Sequence, residues 1–355
     1  MRWAGQGLST SDEGALPRLD TLAGLLRTVT AEEFPGMRLH EVAARSALNA
    51  VPAGSPMPFR WTINPYRGCE HACRYCYARS THTWLEMNAG EDFDREIVVK
   101  VNLVEVLTRE LARPSWRREQ VALGTNTDPY QRAEGRYRLM PGVIAALARS
   151  GTPLSIVTKG TLLRRDLAEL VAAARDVPVG LAVSVAVHDV ELQRALEPGT
   201  PTARARLSVV RAAREAGLPC GVFMTPVLPW LTDSVEHLDA GLAAVAASGA
   251  TGVSVQPLYL RPGSREWFWS WLTEQHPELV PGYRRLYGRG AYVPADYRAW
   301  LAARLAPLLR RHGLGSGEPK DVRIGDEAFP DGAMPPPVTG GRTTPEPGAD
   351  QLTLL

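Results

Sequence analysis

Lysine is nearly missing from this chain. Of 40 basic residues, only Lys100, Lys159 and Lys320 are lysines; the rest are arginines. A lysine at a strand end is therefore more informative than usual. Cysteine is scarce too, with four in 355 residues, which excludes the disulfide framework of a small secreted domain. No apolar run reaches transmembrane length, and the first residues lack the apolar core of a signal peptide. The expected compartment is the cytoplasm, with no membrane partner. A net charge of +2 argues neither for nor against nucleic acid. No G-x-G-x-x-G follows the first predicted strand, which weighs against an ordinary dinucleotide-binding sheet.

What the chain does have is a concentration of its rare residue. Three of the four cysteines, Cys69, Cys73 and Cys76, fall in the run Asn64-Pro65-Tyr66-Arg67-Gly68-Cys69-Glu70-His71-Ala72-Cys73-Arg74-Tyr75-Cys76 as C-x3-C-x2-C. Three thiols so close are metal or cluster ligands before anything else. Three cysteines on one loop can cap three irons of a cubane 4Fe–4S cluster and leave the fourth iron open, whereas ordinary clusters take four. A zinc knuckle completed by His71 or His82 is the competing reading, although no second ligand pair follows. Three neighbouring cysteines do not pair off as disulfides.

From Phe59 onward the pattern alternates strand and helix. Predicted strands are Arg60–Asn64, Gln120–Asn126, Leu154–Lys159, Val179–Ala186, Cys220–Thr225 and Gly252–Leu258. Amphipathic stretches at Leu139–Arg149, Arg165–Arg175, Thr202–Ala216 and Ser234–Ser248 predict the intervening helices. Several strands are continuous apolar runs, as in a buried parallel sheet. Asp233 and Ser234 read as helix caps, and Gly151 and Gly217 as helix stops. The expected fold is α/β, a partial (β/α)6 barrel over residues 59–260. Residues 1–58 form an N-terminal extension and linker, with a helical apolar rhythm from Leu19 to Val29. Residues 261–312, carrying Trp267, Trp269, Trp271, Tyr283, Tyr287 and Trp300, read as a helical cap whose aromatics are core. Residues 313–355, rich in Gly and Pro, read as a disordered tail.

The C-x3-C-x2-C spacing with Tyr75 just before the last cysteine resembles the signature of the radical S-adenosylmethionine (SAM) superfamily. The resemblance implies a 4Fe–4S cluster on Cys69, Cys73 and Cys76 whose open iron chelates S-adenosyl-L-methionine. It also implies an electron donor such as flavodoxin or ferredoxin, and a 5′-deoxyadenosyl radical that abstracts hydrogen from a substrate. The cofactors carry the hard chemistry, and the protein supplies orientation and water exclusion. Within this picture Thr125, Asn126 and Thr127 meet the methionine ammonium, where the family usually has a Gly-Gly-Glu-like segment; a plain Thr-Asp-Pro turn is the alternative. Lys159 meets the carboxylate, Ser184 the ribose, and Arg206 is a further contact.

Thr127-Asp128-Pro129-Tyr130, Thr158-Lys159-Gly160 and Leu196-Glu197-Pro198 ahead of Arg206 resemble, more narrowly, the branch related to spore photoproduct lyase. In that enzyme a cysteine after the second strand returns a hydrogen atom. Here the region reads Thr125-Asn126-Thr127, so the lyase reaction is not carried over. Cys220 is the spare thiol, a candidate hydrogen donor or simply a small buried hydrophobe. The chain finishes in Gln351-Leu352-Thr353-Leu354-Leu355, similar to the peptide by which bacterial proteins dock on the replicative sliding clamp, with Leu355 where Phe is usual. Repair or modification of nucleic acid is the favoured substrate class. Radical modification of a peptide or protein is the alternative, and one leftover cysteine cannot build the second cluster such enzymes often carry. A non-catalytic metal-binding or interaction protein is the reading from another class.

Overall fold

The structure, a computed structural model, describes residues 22, 24–30, 34–52, 54–55 and 57–314. The tail from residue 315, with Lys320, Gln351, Leu352, Leu354 and Leu355, lies outside the described residues.

In chain order the strands are β1 (Leu25–Val29), β2 (Arg38–Val42), β3 (Leu48–Ala50), β4 (Trp61–Ile63), β5 (Tyr66–Arg67), β6 (Glu96–Lys100), β7 (Val121–Leu123), β8 (Leu154–Thr158), β9 (Val179–Ser184), β10 (Cys220–Val227) and β11 (Val253–Pro257). The helices are α1 (Glu91–Arg95), α2 (Leu103–Leu111), α3 (Ala133–Tyr137), α4 (Leu139–Arg149), α5 (Leu167–Ala173), α6 (Val190–Leu196), α7 (Ala203–Glu215), α8 (Val235–Ala247), α9 (Ser264–Gln275), α10 (Val280–Tyr287) and α11 (Ala295–Arg311).

The large sheet runs β11-β10-β9-β8-β7-β4-β3. Its six strands from β4 to β11 are mutually parallel, as the expected (β/α)6 core requires, and β3 adds antiparallel to β4 at the open edge. Every residue of β9 is buried, which explains its unbroken apolar run: helices cover one face and the barrel interior the other. The caps act as the sequence suggests. Ser234 accepts from the His237 amide, Thr202 from Ala205 and Asp189 from Leu192. Gly151 and Gly217 take left-handed backbone just past α4 and α7.

Two features depart from the expected organisation. The helical rhythm of Leu19–Val29 is not a helix where it is described, since Leu25–Val29 is strand β1. It pairs with β2 in a second sheet of order β1-β2-β6-β5. Tertiary pairing overrides a weak periodic signal here: Arg27 grips Glu41 and the Thr28 hydroxyl lies 2.9 Å from His40 Nδ1 across β1 and β2, and β2 and β6 bury a further polar seam. In that seam Glu96 accepts from His40 Nε2 at 2.7 Å and from Arg38 at 2.6 to 3.0 Å. The second sheet also has a use: β5 leads directly into the cysteine loop, and Gly68 between them takes φ 78°. A Cβ there would stand 2.7 Å from the Glu96 carbonyl oxygen, so glycine is required.

Helices α9 and α10 cover the carboxyl end of the barrel and share a buried cluster with Cys73 and Tyr75. Trp271, Tyr283 and Tyr287 are core within it, as expected, whereas Trp300 stays 40% exposed under the Arg304 guanidinium. Helix α11 returns to pack on α8, held by Tyr297 donating to Asp233 at 2.7 Å. Among the described residues no helix is long and apolar enough to cross a membrane.

Candidate radical SAM site at the barrel mouth

Because β4 and its neighbours are parallel, the segments that follow them emerge at one end of the sheet. The cysteine loop follows β4 and β5, Thr125-Asn126-Thr127-Asp128 follows β7, Lys159 follows β8, and Ser184 ends β9. Function in parallel α/β folds gathers at this end.

The cysteine loop is held from several sides. Cys69 N donates to Phe93 O at 2.9 Å, Ala72 turns through left-handed backbone, and Cys76 N donates to Cys73 O at 3.2 Å. Gln131 spans the loop, accepting from Glu70 N and donating to Gly68 O. The Glu70 carboxylate accepts from Ala133 N at 2.7 Å. Arg79 is fully buried: its Nε donates to Cys73 O at 3.0 Å and its Nη2 grips Asp94 at 2.7 and 3.0 Å. Its guanidinium also lies over the rings of Phe93 and Trp267, at 5.2 and 4.8 Å. Trp267 thereby fastens helix α9 to the loop.

All three loop cysteines are free thiols, Cys69 and Cys73 buried and Cys76 nearly so. Burial pushes each thiol up, and each of Cys69 and Cys73 is raised further by other thiols of the trio. Three soft donors on one short loop, each costly to ionise alone, suit a cationic iron–sulfur centre that stabilises the thiolates. Neither histidine of the zinc alternative is turned toward the thiols as a fourth ligand. His82 directs Nε2 to Glu96 O at 3.0 Å, and His71 Nδ1 lies 3.4 Å from Asp128. Among the described residues no three His, Cys, Asp or Glu side chains converge to hold a single ion.

The facing wall carries Lys159 and Ser184, which the structure brings together: Nζ donates to Oγ at 2.6 Å. Lys159 Nζ also lies 3.6 Å from Glu197 and 5.7 Å from the Tyr75 ring centroid. Glu197, with no exposure, accepts from the Tyr75 hydroxyl and, at 2.5 Å, from Arg206 Nη2. Burial pushes the Glu197 carboxyl up, but the Arg206 and Lys159 charges and the Tyr75 hydrogen bond outweigh it and hold it down at about 2. Lys159, Ser184, Glu197 and Tyr75 therefore share one polar cell.

Other expected contacts sit differently. Thr127 is buried and donates its hydroxyl to Tyr66 O at 2.7 Å, so it braces the loop. Thr125 and Asn126 are half-buried beside it, and Thr125 O accepts from the Tyr77 hydroxyl. Arg206 is fully buried and committed to Glu197 and to Ser184 O at 2.9 Å, a wall-building role. Cys220 is not with the others. It starts β10, at the amino end, in the main apolar core, and burial pushes its thiol up to about 12. Its surroundings are those of a packing residue, and the structure does not bring Cys220 to the barrel mouth with the other cysteines.

The sequence offers Asp128 and Glu197 only as members of the Thr-Asp-Pro-Tyr and Leu-Glu-Pro motifs, with no role of their own, and does not mark Arg79 at all. Asp128 accepts from Thr158 Oγ1 at 2.5 Å, Lys159 N at 2.6 Å and Tyr130 N at 2.8 Å, joining the β7 and β8 loops. Burial raises its carboxyl, but His71 and these donors hold it below its ordinary range. The one available signal was an acidic residue beside proline in Thr-Asp-Pro and Leu-Glu-Pro, at predicted strand or helix ends.

Comparison with known proteins bears on the fold and the family. Residues 63–240 match the model of the Radical SAM superfamily. An uncharacterized protein of Mycobacterium tuberculosis (strain H37Rv) is 59% identical over 318 residues, covering 88% of this chain and 93% of the relative. An uncharacterized protein of Methanocaldococcus jannaschii is 28% identical over half of this chain and 64% of its own. Among solved structures, spore photoproduct lyase complexed with dinucleoside spore photoproduct superposes with TM-score 0.58 at 15% identity, covering 77% of this chain and 79% of that one. A mutant of that lyase with bound AdoMet and dinucleoside spore photoproduct gives 0.57 at 16% identity, covering 77% and 78%. These likenesses are of fold. With the family model matched across strands β4 to β10, this chain belongs to the radical SAM superfamily, enzymes whose cofactors are a 4Fe–4S cluster and S-adenosylmethionine.

Proposed function

We propose that Cys69, Cys73 and Cys76 hold the cluster through three irons and that Lys159 and Ser184, with Thr125 and Asn126, receive the polar groups of SAM. The carrying observation is the shared polar cell in which Lys159, Ser184 and Tyr75 meet at 2.6 to 5.7 Å beside the cysteine loop. Bound there, the reduced cluster and SAM supply a 5′-deoxyadenosyl radical, with a flavodoxin- or ferredoxin-type donor providing the electron. The chain's own part is positional. Lys159 offers a compact cation to a carboxylate, Ser184 a hydroxyl, and Tyr75 and Glu197 hold the lysine in place. Helices α9 and α10 close the site against water.

The substrate class we favour is nucleic acid. The fold is like that of a lyase solved with a dinucleoside. At the mouth, Tyr77 is 42% exposed, and Tyr259 stacks with the 66% exposed Tyr292 at 4.5 Å. The charge of Arg261 reaches both Tyr77 and Tyr292. Aromatic faces beside an arginine suit unstacked bases. The lyase reaction itself is not part of the proposal, since Thr125-Asn126-Thr127 supplies no thiol. The clamp-like tail Gln351, Leu352, Leu354 and Leu355 accords with a partner on DNA.

Anaerobic reconstitution tests the first half: about four irons per chain, a brown chromophore and 5′-deoxyadenosine after dithionite. Retention of 5′-deoxyadenosine formation by Cys69→Ala would overturn the ligand assignment. For the substrate, deuterated DNA, RNA and peptide pools are offered in turn. Deuterium in 5′-deoxyadenosine from a nucleic-acid pool supports the reading, and transfer only from peptides replaces it with the protein-modification alternative. Clamp pull-down should depend on Leu352 and Leu354.

A further inference from the structure

The turn between α6 and α7, Leu196-Glu197-Pro198-Gly199-Thr200, is joined to the cysteine loop backbone to backbone. Arg74 N donates to Leu196 O at 2.9 Å, and Gly199 N donates to His71 O at 3.2 Å. A Cβ on Gly199 would stand 1.8 Å from the Glu70 carbonyl oxygen, so only glycine allows this approach. The contact delivers Glu197 into the site with no exposure, where one carboxylate faces two cations. Arg206 Nη2 is at 2.5 Å and Lys159 Nζ at 3.6 Å, and both Arg206 and Glu197 are fully buried. The three side chains sum to one positive charge. Tyr75, which lies between Cys73 and Cys76 in the loop, donates its hydroxyl to Glu197, and Lys159 Nζ stands 5.7 Å from the Tyr75 ring, so the three charges sit directly against the cysteine loop.

We propose that Glu197, Lys159 and Arg206 set the reduction potential of the cluster at Cys69, Cys73 and Cys76, Glu197 lowering it and the two cations raising it. This rests on the cluster assignment proposed above. Reduction adds one electron to a buried centre. A neighbouring anion opposes that electron and a neighbouring cation favours it, and the interaction is poorly screened where water is excluded. The single carboxylate therefore does two jobs: it keeps Lys159 and Tyr75 in position, and it tempers a cationic wall that would otherwise make the cluster too easily reduced to be a strong donor.

The test is a redox titration of the reconstituted full chain without SAM, using dithionite as reductant and following the electron paramagnetic resonance signal of the reduced cluster. Glu197→Gln should move the midpoint potential to more positive values. Lys159→Met and Arg206→Met should move it to more negative values, and Glu197→Asp, which keeps the charge, should stay nearer the parent than Glu197→Gln. Opposite signs are the signature of charge, because a merely loosened, wetter site would shift all variants the same way. Shifts of one sign, or none, in variants that keep full iron content overturn the proposal. If Glu197→Gln does not retain iron, Lys159→Met decides alone: a potential that fails to fall overturns it. A parent chain that binds no iron would remove the cluster assignment and this inference with it, an outcome distinct from a bound cluster whose potential does not respond.

Discussion

The two ends of one parallel sheet treat the same residue type in opposite ways. At the amino end of β10, Cys220 is sealed in the apolar core, where burial alone raises its thiol. At the carboxyl end, Cys73 is as buried but lies within the fields of Lys159, Glu197 and Arg206. Burial does not tell these two cysteines apart; the number of charged side chains around them does, three at Cys73 against Arg214 alone at Cys220. A strand's amino end is met by helices that bury apolar surface, whereas its carboxyl end opens into loops whose polar groups converge.

Paired substitutions test that contrast most strongly. Cys69→Ala should abolish the brown chromophore and most of the iron on reconstitution, while Cys220→Ala should retain both and still yield 5′-deoxyadenosine. Loss of that product in Cys220→Ala with iron intact would restore the thiol to the chemistry. Next in size is the brace that ties the cysteine loop to α1 and α9. Arg79→Met leaves Asp94 without its bidentate partner and removes one of the two donors to Cys73 O, so urea unfolding should show a loss of about 3–5 kcal/mol. A loss below about 1 kcal/mol would mean that the arginine is not the brace.

The charge on Glu197 makes a smaller, pH-dependent difference. Its carboxyl is depressed on folding from the ordinary 4.5 to about 2. That stabilisation is therefore present above about pH 4.5 and lost as pH falls through 2, of order 3 kcal/mol in full. The difference in stability between the parent and Glu197→Gln should shrink across that acid window, read by urea unfolding at stepped pH; a constant difference would argue against an ionised Glu197. The smallest expected effect is the stability cost of Cys220→Ala itself, about 1 kcal/mol for removing a small buried side chain, measurable by the same unfolding curves.

Much of the barrel was legible from the chain. Apolar runs such as Leu154-Ser155-Ile156-Val157-Thr158 bury on both faces, so they announce parallel strands. The caps at Thr202 and Ser234 are local chemistry that a short window contains. The second sheet was not legible. Leu25–Val29 has no pattern that foretells its pairing with β2, and the Glu96 seam that stabilises it joins residues 56 and 58 positions apart. Arg206 looked like one arginine among many, and only burial against Glu197 distinguishes it.

By itself the sequence determined the three-cysteine loop, the alternation of strands and helices in the barrel, the lysine that follows β8 and the serine that ends β9. These are properties of neighbours along the chain: spacing, periodicity and residue chemistry. Tertiary structure alone decided which thiols belong together with charge and which is packing. It also decided that Thr127 and Arg206 build walls, and that Glu197 sits between two cations. Such outcomes depend on burial and on Coulomb interactions between residues remote in sequence, which no local pattern encodes.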